Sequence, residues 1–412
     1  MKKFLYVQYA LLFLIFSSFL HAQHSKWYVS YYPYWCSGYY GTSDLAIAPW
    51  EIDWSGYHIT HVVHFMDGNV TQTSPYSTLA FAHDSADLER CASKNPGISN
   101  INWQDSLITI CHRKRVKVLL VIQAVVPTNI NYVAADSVRT DVFANWLVGY
   151  CRRKGYDGLD LDWEGGMTSA NDVNRMVRRL RLALNTMTPH GLLFVCPAGD
   201  AGAVYSPSQD TCIDRFNYQA YTYAYVWHSR LQRNASWYVS PLHSGTTPIG
   251  FEPLSWDNRG LKDWIRTGHD ISRWNFGLPT FGYTYYDLAN DTLYQAYSGM
   301  AYTTYQTALD FLSNGGRKGW DDERKVPYIH GTTIKQVTIS VGGWWTIPAG
   351  SPYWVTYEDA NSVQEKIKYM QDNCPNIGGF MSYDLSTDLV QGQKFGKRNP
   401  VTKAIGDALF GK

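Results

Sequence analysis

The chain lacks an excess of charge of either sign. Its 412 residues include 36 Lys and Arg against 35 Asp and Glu, which gives a formal net charge of +1. Proteins that bind nucleic acid through its phosphates carry a strongly basic surface, so this balance argues against a nucleic-acid partner. Charged residues make up 17% of the chain and apolar residues 45%, a composition that can bury a core and excludes intrinsic disorder.

The N-terminal apolar stretch is too short to span a membrane. It runs from Ala10 to Leu20, follows the basic pair Lys2 and Lys3 and precedes the small residue Ala22, whereas a membrane-spanning helix needs about 20 apolar residues. This order is that of a secretory signal peptide. We therefore predict that residues 1–22 are removed, that the protein is secreted or periplasmic, and that it has no stable membrane anchor.

The 7 cysteines show no metal-binding spacing. None belongs to a Cys-x-x-Cys pair or a cluster with His, so a zinc site is not expected. The sequence contains no other metal or nucleotide motif, and we expect neither a metal nor a cofactor. An odd number of cysteines leaves at least one without an intramolecular disulfide partner in an oxidising compartment, and the pairing of the others cannot be deduced from spacing.

Aromatic residues are abundant. The chain has 16 Trp, 31 Tyr and 16 Phe, together 15% of its residues. The flat faces and polar tips of Trp and Tyr suit the stacking of sugar rings. The same composition also fits a core and surface rich in tyrosine, so aromatic content alone leaves both interpretations open.

Segments with strand character alternate with amphipathic helices. Continuous apolar runs, typical of strands buried on both faces of a parallel sheet, occur at 59–65 (ITHVVHF) and 116–124 (VKVLLVIQA). A helix is predicted over 136–154, and its apolar residues recur at helical spacing: Val138, Val142 and Trp146, with Phe143, Leu147 and Tyr150 beside them. About eight such strand candidates alternating with helices predict an α/β fold, specifically a (β/α)8 TIM barrel.

One stretch interrupts this alternation. Residues 287–354 are rich in Tyr, Trp, Gly and Thr and lack a strong helical period apart from 304–312. We predict a small α+β insertion domain over 287–354, between the seventh and eighth barrel strands. The barrel would then consist of 23–286 and 355–412.

A row of acids marks the candidate active site. The segment YDGLDLDWE places four carboxylates, Asp157, Asp160, Asp162 and Glu164, within eight residues. Along a strand, residues 160, 162 and 164 point to one side at a spacing of about 6.5 Å. In a closed barrel this side is the interior, and Glu164 would emerge at the carboxyl-end mouth, where TIM barrels hold their active sites.

Such a row has a chemical use. Carboxylates this close cannot all ionise, so they titrate as a coupled set and retain a proton near neutral pH. Glu164 can then act as a protonated general acid toward a glycosidic oxygen, while Asp160 and Asp162 share and relay the proton. A purely structural role is unfavourable, because burying unpaired acids costs desolvation and repulsion.

The acidic row matches the DxxDxDxE signature of glycoside hydrolase family 18, the chitinase family, and the chain resembles that family over nearly all of its length after residue 22. The segments at 31–35 (YYPYW), 277–282 (GLPTFG) and 378–384 (GGFMSYD) resemble the first, seventh and eighth strands of the family. The segments at 320–328 and 357–368 resemble the borders of the insertion domain of one chitinase subfamily.

The resemblance implies a retaining mechanism in which the 2-acetamido group of the substrate is the nucleophile. It implies that Glu164 is the general acid/base, that Asp162 orients the acetamide and offsets positive charge, and that Asp160 supports Asp162. Tyr221 matches the tyrosine that hydrogen-bonds the acetamido oxygen, and Asp157 is the remaining, supporting acid. The implied substrate is chitin or a related glycan of β-1,4-linked N-acetylglucosamine.

Several positions depart from the family pattern. Thr222 stands where the family has Asp or Asn, Tyr383 stands where it has Trp, and Tyr283 stands where it has Arg. The third strand ends in VIQA at 121–124 in place of Ser-x-Gly-Gly, and Gln123 is the candidate substitute as a hydrogen-bond partner. These changes leave the acidic row intact and leave substrate preference open.

Three aromatic residues, Tyr32, Trp227 and Tyr383, are the candidates for stacking on sugar rings. Two other functions remain: an endo-β-N-acetylglucosaminidase acting on glycoprotein glycans, and a catalytically weak chitin-binding relative. The insertion domain argues against the first, because it deepens a groove suited to linear polymers. Retention of Glu164 argues against the second. We expect a monomer whose partner is an N-acetylglucosamine-containing glycan.

Overall fold

The computed structural model describes residues 26–37, 45–65, 70–77, 103–123, 126–163, 166–167, 169–197, 204–224, 226–229, 233–251, 253–258, 268–339 and 345–411. The predicted signal peptide and Glu164 lie outside these ranges. Among the residues so described, no helix combines the length and apolar character needed to cross a membrane.

Strands and helices alternate through the first two thirds of the chain. The strands are β1 (Trp27–Pro33), β2 (His61–Phe65), β3 (Lys117–Gln123), β4 (Gly158–Asp162), β5 (Leu192–Val195), β6 (Arg215–Tyr218), β7 (Val226–His228), β8 (Arg233–Ala235), β9 (Trp274–Pro279), β10 (Gly282–Tyr286), β11 (Gly299–Thr303), β12 (Arg317–Asp321), β13 (Val326–Thr332), β14 (Val337–Ile339), β15 (Trp345–Ile347), β16 (Pro352–Thr356) and β17 (Gly379–Tyr383). The helices are α1 (Trp103–Arg113), α2 (Pro127–Ala134), α3 (Ser137–Lys154), α4 (Ala170–Leu184), α5 (Tyr305–Ser313), α6 (Ala360–Asn373) and α7 (Pro400–Phe410).

Eight parallel strands close into a barrel in the order β1, β2, β3, β4, β5, β6, β9 and β17, and β17 pairs again with β1. The predicted TIM barrel is therefore confirmed. The apolar runs behave as expected: every residue of β2 is buried, and β3 is buried apart from its two end residues, Lys117 and Gln123. Both faces of these strands are covered, because one is packed in the barrel interior and the other lies against the surrounding helices.

Helix α3 forms close to the predicted position, and the predicted apolar residues Phe143, Leu147 and Tyr150 are buried, but the prediction is wrong for the two valines. Val138 and Val142 are 69% and 38% exposed, whereas Phe143, Leu147 and Cys151 are fully buried. The helix therefore packs on the barrel with a face rotated away from the one that the valines suggested.

The insertion between the seventh and eighth barrel strands is an antiparallel sheet in the order β11, β10, β16, β13 and β12, packed against α5. Because β10 and β16 pair with each other, the sheet begins before residue 287 and ends after residue 354. It has a small core of its own that includes Ala308, Phe311 and Val355.

A buried ion pair fixes the return from the insertion to the barrel. Glu358 follows β16, Lys366 lies in α6, and the Lys366 Nζ donates to both carboxylate oxygens of Glu358 at 2.6 and 2.5 Å. Both side chains are inaccessible to solvent. Removing one partner of such a pair is strongly destabilising, so this contact holds the insertion in register with α6.

Candidate active site

The alternation of β4 separates its acids from its leucines. Leu159 and Leu161 are fully buried on the outer face, while Asp160 and Asp162 lie on the inner face. Asp160 is completely buried and Asp162 is 6% exposed. Gln123 of β3 is the register partner of Asp162 and therefore lies beside it on the same face.

Asp157 lies at the opposite end of the barrel. It precedes β4 and accepts hydrogen bonds from Lys117 Nζ and His112 Nε2, each at 2.8 Å, and from the Val118 backbone N–H at 2.9 Å. These contacts tie the start of β4 to β3 and α1. Asp157 thus supports the fold at the amino end, and the structure does not bring it together with the other acids. Glu164 lies outside the described residues, so its role stays a prediction.

Asp160 has a donor from across the barrel. The Tyr31 hydroxyl donates to Asp160 Oδ2 at 2.5 Å, and Asn217 Nδ2 donates to the Tyr31 hydroxyl oxygen at 3.3 Å. Burial raises the pKa of Asp160 to about 7, although the hydrogen bonds from Tyr31 and Asn217 oppose the rise. Burial, followed by the neighbouring Asp160 charge, raises the pKa of Tyr31 well above its usual value. Tyr31 therefore stays a protonated donor, and Asp160 can exchange a proton near neutral pH.

Tyr383 lies at the carboxyl-end mouth, next to Tyr31. It is the last residue of β17, and its ring centroid is 5.4 Å from that of Tyr31 and 6.2 Å from those of Tyr221 and Phe281. Trp35 approaches the same ring at 6.5 Å. Tyr383 is half-buried, so this group of rings presents one partly open aromatic face at the mouth, directly beside the acidic row.

Tyr221 joins the same group from the segment after β6. It is 7% exposed and packs edge-to-face on Phe281 at 5.7 Å. Its ring passes close over Gly277 of β9, where an added Cβ would lie 2.8 Å from Tyr221 Cε1. A glycine is therefore required at 277 for the tyrosine to lie in this position.

The other two aromatic candidates are placed differently. Tyr32 is 2% exposed and its hydroxyl donates to the Ile47 carbonyl at 2.7 Å, on the face of β1 opposite to Tyr31. The structure therefore does not bring Tyr32 together with the carboxylates. Trp227 lies in β7, where it pairs with Asn234 of β8, and its side chain lies outside what the structure describes.

A second buried carboxyl lies beside the aromatic group. Asp384 directly follows Tyr383, and its Oδ1 accepts from the Ser386 backbone N–H at 2.8 Å and from Ser386 Oγ at 2.5 Å. Burial raises the pKa of Asp384 to about 6. Ser386 Oγ also accepts from Trp35 Nε1 at 3.0 Å. Asp384 therefore holds Trp35 in place through Ser386.

Three residues around Asp160 were missed by sequence reasoning: Tyr31, Asn217 and Asn275. Asn217 and Asn275 are register partners in β6 and β9, and Asn275 Nδ2 donates to Asn217 Oδ1 at 2.9 Å. A signal was present, since each asparagine stands between two aromatic residues of its strand (RFNY and WNFGLP). For Tyr31 the pattern held no signal, because β1 carries tyrosines at 31 and 32 alike.

The metal-binding capacity of the site is limited in the part of the chain that is described. There, no group of three or more His, Cys, Asp or Glu side chains is arranged to hold a metal ion.

The closed parallel barrel, with inward acids on its fourth strand and an antiparallel insertion after its seventh, defines a TIM-barrel protein of the glycosidase type. Residues 29–388 match the model of Glycosyl hydrolases family 18, and the chain belongs to this family. The resemblance carried by the acidic signature is confirmed.

Curated relatives are distant chitinases. Chitinase A1 of Niallia circulans is 23% identical over 62% of this chain and 38% of its own length. Endochitinase 1 of Metarhizium robertsii is 22% identical over 63% of this chain and 59% of its own length. The match thus spans less than two thirds of either relative.

Solved structures share the fold over almost the whole chain. Catalytic domain 2 of the Ostrinia furnacalis Group II chitinase superposes with a TM-score of 0.72 at 17% identity, covering 94% of this chain and 97% of that one. A mutant of the Class V chitinase from Nicotiana tobaccum, in complex with NAG4, superposes with a TM-score of 0.67 at 16% identity, covering 93% and 98%. At these identities the likeness concerns the fold.

Proposed function

We propose that this protein is a secreted chitinase-type glycoside hydrolase that cleaves β-1,4-linked N-acetylglucosamine polymers or oligomers by a retaining, substrate-assisted mechanism. The observation that carries the proposal is the buried contact between Tyr31 and Asp160 inside the barrel. A buried carboxyl with a pKa near 7 and a fixed donor can hold and release a proton within a catalytic cycle. Membership of the family and the NAG4 bound to the Nicotiana relative support the same substrate class.

In the first step, Glu164 donates its proton to the glycosidic oxygen, and the bond between that oxygen and C1 breaks. The carbonyl oxygen of the 2-acetamido group attacks C1 and forms an oxazolinium ion. Asp162 accepts a hydrogen bond from the acetamide N–H and offsets the positive charge. Asp160 shares a proton with Asp162, so the pair need not carry two negative charges at once.

In the second step, water attacks C1 from the face that the leaving group vacated. Glu164, now a carboxylate, accepts the proton of that water, and the bond between C1 and the acetamido oxygen breaks. The two displacements at C1 give a β-anomeric product. Glu164 regains its proton in this step and is ready for the next cycle.

Two tyrosines complete the proposed sugar site. The Tyr221 hydroxyl donates to the acetamido oxygen, and the half-buried ring of Tyr383 lies beneath the sugar that undergoes cleavage. The proximity of the two rings, 6.2 Å between centroids, supports a shared role. Stacking on an aromatic face suits a sugar ring whose hydroxyls point outward.

The proposed export depends on residues 1–22. N-terminal sequencing of protein recovered outside the cytoplasm is expected to begin at Gln23. A mature chain that retains Lys2 and Lys3 would contradict removal of the signal peptide.

The central test compares Glu164→Gln with the parent protein on two substrates, chitin oligomers and a high-mannose glycopeptide. We expect the parent to cleave the oligomers with β-anomeric products, detected by NMR immediately after cleavage. Loss of the general acid is expected to lower kcat by roughly 10²–10⁴-fold. Glu365→Gln is the matched control, because Glu365 is exposed on α6 and its substitution should leave the rate unchanged.

The outcomes separate the alternatives. Cleavage of the glycopeptide but not of the oligomers would indicate an endo-β-N-acetylglucosaminidase. Tight binding of oligomers without turnover by the parent would indicate a chitin-binding relative. Full activity of Glu164→Gln would remove Glu164 as the acid and overturn the mechanism.

A further inference from the structure

A chain of hydrogen bonds crosses the barrel lumen and ends at Asp160. Asn275 Nδ2 of β9 donates to Asn217 Oδ1 of β6 at 2.9 Å. Asn217 Nδ2 donates to the Tyr31 hydroxyl oxygen at 3.3 Å, and the Tyr31 hydroxyl donates to Asp160 Oδ2 at 2.5 Å. Asn275, Asn217 and Asp160 are completely buried and Tyr31 is nearly so. TIM-barrel interiors are normally filled by branched apolar side chains, so four polar groups at this depth need an explanation.

The order of donors along this chain determines which way the Tyr31 proton points. An asparagine side chain has a donor end and an acceptor end, and rotation by 180° exchanges them. Because Asn275 donates to Asn217 Oδ1, the Nδ2 group of Asn217 must face Tyr31. Tyr31 then receives a hydrogen bond at its oxygen, and its own proton is directed to Asp160.

The opposite orientation would have the opposite effect. If Asn217 presented its carbonyl oxygen to Tyr31, that oxygen would compete with Asp160 for the hydroxyl proton. The ionised form of Asp160 would lose its charge-assisted donor. Two contacts of the described residues disfavour this alternative: Asn275 donates to Asn217 Oδ1, and Asn217 itself hydrogen-bonds the Asp160 carboxyl.

We propose that Asn275 is a positioning residue for the reaction: by fixing the amide of Asn217, it directs the Tyr31 hydroxyl to Asp160 and so sets how readily the inner carboxylates exchange a proton during turnover. This inference rests on the proposed function, since the exchange matters only if Asp160 and Asp162 serve catalysis. Asn275 has no role in contacting substrate.

Few other charges act on Asp160. The titratable groups that face it within the described residues are Tyr31 from β1, Cys196 after β5, Tyr205 from the following loop, and Asp162 on its own strand. Burial raises the pKa of Tyr31 and of Tyr205 far above neutral, so both remain uncharged. A change in the titration of Asp160 therefore reports chiefly on its hydrogen bonds and on Asp162.

The test replaces the amide by an apolar side chain of similar size, Asn275→Leu, and follows Asp160 by ¹³C NMR of protein labelled at aspartate side-chain carboxyls. Asp160→Asn assigns the signal. The loss of one neutral hydrogen bond in the chain is expected to move the Asp160 titration upward by roughly half to one pH unit. The ionisation nearest neutrality in the pH profile of kcat should move by the same amount, while KM changes less than about two-fold. Asn275→Ala carries the same expectation if leucine does not fit.

A double-mutant cycle tests whether Asn275 acts through Tyr31. Tyr31→Phe removes the donor directly and should shift the Asp160 titration at least as far as Asn275→Leu. Because Asn217 also hydrogen-bonds Asp160 directly, Asn275→Leu should keep only the smaller part of its shift in the Tyr31→Phe background. Independent, additive shifts would show that Asn275 acts by another route and would overturn the proposal.

Asn399→Leu is the matched control. Asn399 is equally buried and donates to the Leu385 carbonyl and to Asp388 Oδ1, each at 2.7 Å, but it has no contact in the chain that ends at Asp160. We expect this variant to lose stability without moving the Asp160 titration.

The NMR titration needs no turnover and can be repeated in Glu164→Gln. An Asp160 signal that does not move in Asn275→Leu therefore refutes the role of Asn275 even where the proposed function stands. Full activity of Glu164→Gln refutes the function whatever the signal does.

Discussion

Thr222, which directly follows Tyr221, adopts a left-handed backbone conformation with φ of 64°. A β-branched residue is strained in this region, whereas asparagine tolerates it. We therefore expect Thr222→Asn to raise the free energy of unfolding by about 1 kcal/mol. Urea unfolding followed by tryptophan fluorescence measures the change.

The control for this substitution is Thr338→Asn. Thr338 is an exposed residue of β14, and its φ is not positive. Asparagine is disfavoured in strands, so this variant should gain nothing or lose a few tenths of a kcal/mol, roughly. Equal gains in both variants would show that relief of left-handed strain at Thr222 is not the cause.

The acids of β4 could be predicted in detail, whereas the tyrosines of β1 could not. Asp160 and Asp162 alternate with leucines, and this alternation predicts that the two acids share one face of the strand. Tyr31 and Tyr32 are adjacent in a strand without polar alternation (WYVSYYP), and all but the first residue of it is buried. Which tyrosine faces the lumen depends on the register of β1 with β2 and β17, a long-range property that no local pattern encodes.

At the scale of strands and helices, two glycines show how packing differs between the barrel lumen and its surface. At Gly277 of β9, an added Cβ would lie 2.5 Å from the Tyr218 carbonyl oxygen and 2.8 Å from Tyr221 Cε1. We expect Gly277→Ala to destabilise the protein by about 1–3 kcal/mol through overpacking. It should also lower kcat, because Tyr221 must move.

Gly149→Ala provides the contrast. In the interior of α3, the added Cβ would meet only the flexible end of Arg153, at 3.4 Å from Nη1. Alanine is the better helix former, so this variant should gain about 0.5–1 kcal/mol and keep full activity. Thermal unfolding and initial rates on chitin oligomers measure both variants. A neutral Gly277→Ala would show that Tyr221 has more room than the structure gives it.

Helix α3 shows that sequence periodicity predicts a helix without determining which of its faces is buried. Its sequence contains one apolar set at Val138 and Val142 and another at Phe143, Leu147 and Cys151, and both have helical spacing. Only the second is buried. Periodicity identifies a helix, but the choice between two possible faces depends on which one fits the sheet.

At the scale of the whole molecule, buried carboxyl groups and buried histidines have opposite effects on how the free energy of unfolding depends on pH. Burial raises the pKa of Asp160 and Asp388 to about 7 and that of Asp384 to about 6. Burial also lowers the pKa of His61 and His64 to about 3. The contribution of each acid to the free energy of unfolding is fully present below its pKa in the unfolded chain. It is lost as pH rises through its pKa in the folded protein. Each histidine acts in the reverse sense, since it must stay neutral when buried.

Asp388 lies outside the acidic row of β4, and burial, more than the charge of Asp384, raises its pKa. It accepts hydrogen bonds from Asn399 Nδ2 and from the Thr402 backbone N–H, each at 2.7 Å. Between about pH 4 and pH 7 the unfolded chain ionises at this position while the folded protein keeps its proton. The stability of the parent relative to Asp388→Asn should therefore fall with rising pH, by at most about 1.4 kcal/mol per pH unit.

Urea unfolding of both proteins across this pH window measures that difference. The slope of the difference against pH does not depend on any constant change in stability that the amide introduces. Asp322→Asn is the control, because Asp322 is 87% exposed and hydrogen bonds from Lys325 and Trp320 lower its pKa. Its own difference from the parent should stay flat above about pH 4, since both states are ionised there. A difference for Asp388→Asn that stays flat across this window would mean that Asp388 is a carboxylate in the folded protein, and that its two hydrogen bonds outweigh its burial.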